Sequence, residues 1–318
     1  MDPMKETTHN FGIVIHGGAG KIFKKNMTPE LEDAYQSKLN EAVGAGYAIL
    51  SKGGSSIDAV ITSVRILEDS PLFNAGKGAV FTHDETNELE ASIMDGQTLN
   101  AGSVAALTHI KNPIMLAQAV MNNCPHVMLV GKGAESFAKQ QGFKFVKPSY
   151  FYDKKRYQSL KLIKEKEITE LDHDSENNDT AFGTVGCVAL DQNGNLAAGT
   201  STGGLTNKRS SRIGDSALIG AGTYANNANC AISCTGIGEY FIRSVAAYDL
   251  FALMEYKGHS VNQAAQDVIH NKIATLGGTG GLIAIDKSGN ISMEFNTPGM
   301  YRAYISSNGT SDTQIYKF

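Results

Sequence analysis

The sequence has little of what marks several large classes of protein. Its four cysteines, Cys124, Cys187, Cys230 and Cys234, show neither a CxxC pair nor metal-ligand spacing. This argues against a zinc module or a disulfide framework and indicates reduced thiols in the core. Prolines number only seven against 34 glycines. Because the glycines follow no short repeat, they indicate many tight turns and not low-complexity sequence.

The chain also lacks the segments that membrane and nucleic-acid proteins carry. No apolar run approaches the roughly 20 residues of a membrane span, and the first ten residues are too polar for a signal segment. A formal net charge of −4 argues against nucleic acid or an anionic membrane as partner. We therefore expect a cytoplasmic protein with a small-molecule partner, and 318 residues suffice for one large domain.

Apolar patterns predict helices on either side of blocks of short strands. Residues 11–16 indicate a buried strand, Thr28 and Pro29 start a helix that ends at Gly53, and Ser56 starts another that ends by Pro71. Three short runs over 77–109 predict a meandering sheet. Further helices are predicted over 113–123, 134–141, 239–256 and 261–274, and a closing hairpin over 286–290. This order predicts an α+β fold of one domain, with helices covering antiparallel sheets.

The junction Gly183-Thr184 separates two unlike segments. The residues before it, about 145–180, are charged and poor in large apolar side chains, which predicts a flexible tether. The residues after it form two apolar runs around Asn193-Gly194, a strong hairpin signal. A cut at the junction would give Thr184 a free α-amine, with a reference pKa of roughly 7.7 to 8.0. One residue would then supply both nucleophile and base.

Two familiar motifs compete with this interpretation. The HGGAGK run at 16–21 resembles a phosphate loop, but Ile22 follows where the motif needs Ser or Thr. Residues 199–203 fit the GxSxG elbow of serine hydrolases, with the HGG run as its oxyanion loop. The residues after that elbow lack a helical pattern, yet a serine hydrolase stays open as an alternative.

Three further sites carry possible chemistry. Thr200 and Thr202 alternate along one predicted strand, so both face one side of the sheet. Arg212 and Asp215 offer a cation and an anion in a glycine-flanked loop, although they could form only a surface ion pair. Residues 235–238 precede a predicted helix, where free N–H groups can hold an oxyanion or simply begin the helix.

Five extended blocks make the chain resemble a known family. They include HGGAG, FNAGKGAVFTHDETNELEASIMDG, GTVGCVALDQNGNLAAGTSTGG, RIGDSALIGAGTYANN and SCTGIGEYF, followed by GGTGGL. The family is that of the plant-type L-asparaginases, also called isoaspartyl peptidases, which are threonine N-terminal nucleophile hydrolases. The resemblance implies a four-layer αββα sandwich and self-cleavage into residues 1–183 and 184–318. It also implies a homodimer of the cleaved units.

The resemblance assigns roles to residues at matching motif positions. It implies Thr184 as nucleophile, positioned by Thr202, with Thr235 and Gly236 as oxyanion donors and Asn74 near the same pocket. It implies Arg212 as the clamp for a substrate α-carboxylate, and Asp215, beside Gly238, as the anchor for its α-ammonium. A structural sodium ion is implied on the backbone carbonyls of Leu67, Glu68, Ser70, Phe73, Ala75 and Lys77.

The implied reaction is hydrolysis of the side-chain amide of L-asparagine and of β-aspartyl dipeptides through a threonine acyl-enzyme, with no catalytic cofactor. We expect no histidine near the threonines, which leaves the α-amine of Thr184 as the base. Related glycosylasparaginases usually carry TSTNG where this chain has TSTGG at 200–204, and they are secreted with disulfides. A glycosylasparaginase-like amidase and a noncatalytic amino-acid-binding protein remain as alternatives.

Overall fold

The computed structural model describes residues 10–165 and 183–317. The strands in these ranges are β1 (Gly12–Gly20), β2 (Leu89–Asp95), β3 (Ala101–Leu107), β4 (Met128–Val130), β5 (Val185–Leu190), β6 (Leu196–Thr202), β7 (Thr223–Asn226), β8 (Cys230–Gly236), β9 (Gly280–Asp286), β10 (Ile291–Phe295), β11 (Gly299–Ser306) and β12 (Ser311–Tyr316). The helices are α1 (Pro29–Ser51), α2 (Ser56–Glu68), α3 (Pro113–Asn123), α4 (Gly131–Gln140), α5 (Lys154–Glu165), α6 (Gly238–Ser244), α7 (Ala246–Lys257) and α8 (Val261–Gln266), which continues as a π-helix over Asp267–Ile273.

Within the described ranges the strands form two sheets. The large sheet has eight strands in the order β12-β11-β1-β5-β6-β2-β3-β4, and the small sheet has four in the order β10-β9-β8-β7. Neighbouring strands are antiparallel, except that β3 and β4 are parallel. The structure is thus a mixed α/β fold with two sheets and helices, which confirms the predicted helix-covered sheets.

Three apolar clusters hold these elements together. One joins the large sheet to α1, α2 and α3, and a second joins the small sheet to α6, α7 and α8. The third contains Val14 and Val188 from the large sheet and Ile283 from the small one. Ile13 and Ile15 belong to the helix-side cluster while Val14, between them, faces the small sheet. Both faces of β1 are therefore buried, which explains its unbroken apolar sequence.

The first two helices begin and end close to where their sequence signals lie. Thr28 caps α1 through a hydroxyl that accepts the N–H of Leu31 at 3.3 Å, and Pro29 occupies the first turn. Ser55, one residue before the predicted start, caps α2 by accepting the N–H of Asp58 at 3.1 Å. The long helix predicted over 239–256 is interrupted at Val245, whose φ of +50° separates α6 from α7.

The predicted tether is wrong over 145–165. Phe145 pairs with Ile110 in an isolated bridge, and α5 occupies 154–165. Arg156, Leu160 and Ile163 recur at helical spacing along α5 and are buried, a pattern that the high charge of the segment conceals. The remainder of the predicted tether, 166–180, lies outside the described residues. The sequence also did not predict β11 and β12, and the predicted run GAVFTHD at 78–84 forms no strand.

No helix in the described part of the chain is long and apolar enough to cross a membrane.

Candidate active site

The β5–β6 hairpin places two threonine hydroxyls against each other. Thr184 directly precedes β5, Thr202 ends β6, and the ladder pairs Val185 with Ser201, so the two threonines meet at one edge of the hairpin. Thr184 Oγ1 donates to Thr202 Oγ1 at 3.1 Å. The N–H of Gly204 donates to the same Thr202 oxygen at 3.0 Å. The Thr202 hydroxyl is therefore fixed from two sides.

A narrow cleft surrounds Thr184 and is lined by most of the residues that the sequence indicated for catalysis and substrate binding. Its volume is about 10 Å³, which is space for about one water molecule. Gly183 itself lies in the cleft, so the chain before Thr184 takes up part of the space. The lining residues are Ala19, Asn74, Glu90, Gly183, Thr184, Thr202, Gly204, Leu205, Arg212, Asp215, Ser216, Thr235 and Gly236.

Arg212 forms its ion pair with Glu239 in the first turn of α6. Its Nε donates to Oε1 of Glu239 at 2.9 Å and its Nη2 to Oε2 at 2.8 Å. The Arg212 side chain is 16% exposed, so this two-point pair fixes the guanidinium in the wall of the cleft. The pair leaves Nη1 and the second N–H of Nη2 outside it.

Asp215 is buried in the cleft wall without a complete set of partners. Its Oδ2 has no hydrogen-bond donor within residues 10–165 and 183–317. Burial raises the pKa of Asp215 to about 7, with the Arg212 charge acting in the opposite direction and the Glu90 charge adding to the rise. A Cβ on Gly238 would lie 2.7 Å from Asp215 Oδ1 and 3.0 Å from Arg212 Nη2. Glycine at 238 thus keeps both charged groups accessible.

The end of β8 and the loop that carries Asn74 close the cleft. Thr235 Oγ1 accepts the N–H of Ala19 at 3.3 Å. Gly236 has φ +158°, and a Cβ there would lie 2.5 Å from the carbonyl oxygen of Thr279. The backbone of Thr279 therefore packs closely against Gly236. Asn74 donates to the Gly204 carbonyl at 2.7 Å and accepts the N–H of Val80 at 3.0 Å. Asn74 therefore orders the turn that follows Thr202.

The expectation that no histidine lies near the threonines is wrong. His16 is fully buried, with Nδ1 at 2.9 Å from the Thr184 carbonyl oxygen and Nε2 at 2.9 Å from Ser233 Oγ. Because a carbonyl can only accept, Nδ1 carries the proton and Nε2 accepts from Ser233. Burial lowers the pKa of His16 to about 3. Both nitrogens are engaged away from Thr184 Oγ1, so His16 holds the main chain and is not placed to act as a base.

Ser201 does not form a nucleophile elbow. It is fully buried within β6, and its hydroxyl donates to Glu68 Oε1 at 2.7 Å. Burial raises the pKa of Glu68 to about 8, so at neutral pH this carboxyl is largely protonated. The chain after Ser201 continues as strand and loop, where an elbow needs a helix. The structure therefore does not support the serine-hydrolase alternative.

The loop proposed to bind sodium connects α2 to the turn at Gly76–Gly78. Among its six carbonyls, those of Leu67, Phe73 and Ala75 accept backbone N–H groups. Gly76 has φ +52°, and a Cβ there would lie 2.3 Å from the carbonyl oxygen of Glu68. Glycine at 76 therefore lets the backbone approach the Glu68 carbonyl closely, and the carbonyls of Leu67, Phe73 and Ala75 already have backbone donors. Within the described ranges, no group of three or more His, Cys, Asp or Glu residues could hold a metal ion.

Three residues of the site were missed from the sequence. Glu239 is the first residue of the helix predicted over 239–256 and lies in the first turn of α6, a position that an acidic residue favours. Glu90 alternates with Glu88 in the run 88–94, whose other residues are apolar or small. Two acidic residues in such a run are unusual for a buried strand. His16 lies within a matched motif, but no sequence signal shows that it reaches Thr184, 168 residues away.

Comparisons with known proteins agree with the resemblance. A family model described as asparaginase matches residues 9–315. The chain is 52% identical over 307 residues to the isoaspartyl peptidase of Escherichia coli K12, covering 96% of each chain. It is 41% identical over 289 residues to the isoaspartyl peptidase/L-asparaginase of Xenopus laevis, covering 91% of this chain and 90% of that one. It is 40% identical over 302 residues to the plant-type L-asparaginase of Pyrococcus abyssi, covering 92% and 95%. With this match over nearly its whole length, the chain belongs to the asparaginase family.

Proposed function

We propose that this protein is an autoprocessing amidohydrolase that hydrolyses L-asparagine and β-aspartyl dipeptides through an acyl-enzyme on Thr184. The observation that carries the proposal is the 3.1 Å contact between Thr184 Oγ1 and Thr202 Oγ1, in a cleft that also holds Arg212 and Asp215. The names of the relatives, isoaspartyl peptidase and plant-type L-asparaginase, support the same two substrates.

Cleavage of the chain comes first in this mechanism. Thr184 Oγ1 attacks the carbonyl carbon of Gly183, the hydroxyl proton passes to the Thr184 nitrogen, and the peptide bond becomes an ester. Water then hydrolyses the ester, which gives Gly183 a carboxylate and Thr184 a free α-amine. His16 holds the Thr184 carbonyl at 2.9 Å while the bond on the other side of the residue breaks.

Hydrolysis of the substrate uses the amine that cleavage releases. The amine takes the proton from Thr184 Oγ1 as that oxygen attacks the side-chain amide carbon. Thr235 and Gly236, at the end of β8, stabilise the oxyanion. Ammonia leaves from asparagine, or an amino acid from a β-aspartyl dipeptide, and carries the proton away. Water attacks the ester and releases aspartate.

Recognition of the α-amino acid follows from the two charged groups in the cleft wall. Glu239 occupies Nε and one N–H of Nη2 on Arg212, so Nη1 and the other Nη2 N–H can bind the substrate α-carboxylate. Asp215 Oδ2, which has no donor among the described residues, accepts from the α-ammonium. Fixing two groups of the substrate aims its side-chain amide at Thr184.

Three further proposals concern the fold and assembly. The three apolar clusters support a four-layer αββα sandwich, with one cluster between each pair of adjacent layers.

Sodium on the carbonyls of residues 67–77 would fix the loop that carries Asn74. Replacing sodium by choline at equal ionic strength should then lower the melting temperature. Light scattering tests the homodimer of cleaved units.

A denaturing gel tests autoprocessing directly. The parent should yield two fragments, 1–183 and 184–318, and Thr184→Ala one full-length, inactive chain, because only the hydroxyl can start the acyl shift. Thr184→Ser should still cut, more slowly. Spontaneous cutting of Thr184→Ala would overturn the assignment of the nucleophile. A parent that binds asparagine but stays uncut would indicate the noncatalytic binding protein, and preferential hydrolysis of glycosylated asparagine the related amidase.

A further inference from the structure

Two carboxylates at the start of β2 hold the backbone of the loop that carries Arg212. Glu88 Oε2 accepts the N–H of Ser211 at 2.7 Å. Glu90 accepts the N–H of Gly214 with both carboxylate oxygens, each at 3.0 Å. The two residues alternate along the chain, so they present their side chains to the same side of β2. Arg212 thus lies between two backbone N–H groups that charged acceptors hold in place.

Both carboxylates are far less exposed than a surface role would require. Glu90 is 1% exposed and Glu88 9%. Besides Arg212, Lys208 supplies positive charge nearby; it is 2% exposed, and its Nζ donates to the Glu88 carbonyl at 3.0 Å. Burial lowers the pKa of Lys208, while the charge of Glu90 acts to raise it. A buried carboxylate is costly unless charges and donors compensate it, and here both do.

Gly214 brings the carboxylate and the guanidinium to the same point. A Cβ on this residue would lie 2.7 Å from Glu90 Oε1 and 2.8 Å from Arg212 Nη1. Its φ of −88° is open to any residue, so the close approach and not the backbone conformation requires glycine. Glu90 also lines the cleft beside Arg212 and Asp215, and its charge acts on both of them.

We propose that Glu90, assisted by Glu88, is a positioning residue: it holds the loop so that Arg212 and Asp215 are placed to bind the α-amino acid part of the substrate. Glu90 therefore determines the affinity for that part. The proposal rests on the proposed function, because it needs Arg212 and Asp215 to bind substrate. Among the described residues, the Glu90 carboxylate bonds to the Gly214 N–H and not to Thr184. It takes no part in the proposed cleavage and hydrolysis steps. Its loss should therefore affect substrate binding more than cleavage of the chain.

Steady-state kinetics of processed Glu90→Gln tests this separation. Gln keeps the size and one acceptor but loses the charge and the second oxygen. We expect KM for asparagine to rise about tenfold or more, with autocleavage and kcat within about twofold of the parent. Glu135→Gln is the matched control, since Glu135 also accepts two backbone N–H groups, from Thr108 and His109, away from the cleft. It should leave KM unchanged.

Gly214→Ala supplies a second route if Glu90→Gln does not fold. Its added Cβ displaces Glu90 or Arg212, and KM should rise in the same manner. An unchanged KM in a folded, processed variant would overturn the proposal. So would a fall in the autocleavage rate as large as the rise in KM. A parent that fails to hydrolyse asparagine and β-aspartyl dipeptides would instead contradict the proposed function, so the two failures can be told apart.

Discussion

Gly18 lies directly against the proposed cleavage junction: a Cβ on Gly18 would stand 2.2 Å from the Cα of Gly183. The φ of Gly18 is +109°, a conformation that residues with a side chain rarely adopt. The glycine run that resembles a phosphate loop thus serves a different purpose. It continues β1 and lets the chain before Thr184 pass close to it.

Gly18→Ala should therefore slow autocleavage severely. The new Cβ cannot share space with Gly183, so the scissile bond must move away from Thr184 Oγ1. Full-length chain on a time course of denaturing gels would show this. Gly53→Ala is the control, because Gly53 has φ +79° but nothing within 4 Å of its Cβ position. Cleavage of Gly18→Ala at the parent's rate would show that the contact is not required.

Replacing Arg212 by Ala should mainly impair substrates with a free α-carboxylate. The change removes the clamp and leaves Glu239 without its partner, at a cost of roughly 2 to 5 kcal/mol in kcat/KM. Autocleavage should persist, because the described hydrogen bonds of the Arg212 side chain go to Glu239 and not to Thr184. Arg243→Ala, on the same helix as Glu239, is the control. Asparagine hydrolysis at the parent's rate by the processed Arg212 variant would exclude the clamp.

His16→Asn should change how stability depends on pH. The folded pKa of His16 is about 3 and the unfolded value about 6.5, so below pH 6.5 only the unfolded chain takes up this proton. Stability is therefore lost as pH falls from about 6.5 towards 3, by about 2 kcal/mol between pH 7 and pH 5. Urea unfolding at the two pH values should show a smaller loss in His16→Asn than in the parent.

The half-exposed His109 supplies the control for that experiment, because its ring is 39% exposed beside Glu135. His109→Asn should retain the parent's pH dependence. An equally steep loss in His16→Asn would show that protonation of the buried ring does not govern stability.

Local signals predicted much of the fold, and motif positions indicated many of the residues that line the candidate cleft. Thr28, Pro29 and Asn193-Gly194 act through neighbouring backbone, so the first helix and the central hairpin could be inferred from sequence. The contacts that join distant segments could not. Glu90 meets Gly214 across 124 residues and His16 meets Ser233 across 217. These pairs depend on how the two sheets pack, which no local pattern specifies.

Segment α5 shows the opposite error, in which composition concealed a local pattern. Its high charge suggested a solvated tether, yet Leu160 and Ile163 pack inward, and Tyr157 and Lys161 bind Glu85 at 2.7 and 2.6 Å. A few apolar residues at helical spacing, together with cross-chain hydrogen bonds, suffice to order a helix that average composition disfavours.

The pH dependence of catalysis should separate two titrating groups. Burial raises the pKa of Asp215 to about 7, so as pH falls through 7 the free enzyme loses the anion that binds the α-ammonium, and KM for asparagine should rise. Bound substrate keeps Asp215 ionised, because its ammonium stabilises the charged form. The rise of kcat with pH should then report only the α-amine of Thr184.

Asp215→Asn distinguishes the pH dependence of KM from that of kcat when both are measured from about pH 5.5 to pH 9. The variant should show a high KM that no longer changes around pH 7, while kcat keeps its dependence on the amine. His16→Asn should keep both pH dependences, that of KM and that of kcat, since both ring nitrogens of His16 bond to groups other than the Thr184 hydroxyl. If His16→Asn folds, cuts itself and yet loses the rise of kcat, then a histidine is the base, and the N-terminal amine mechanism is wrong.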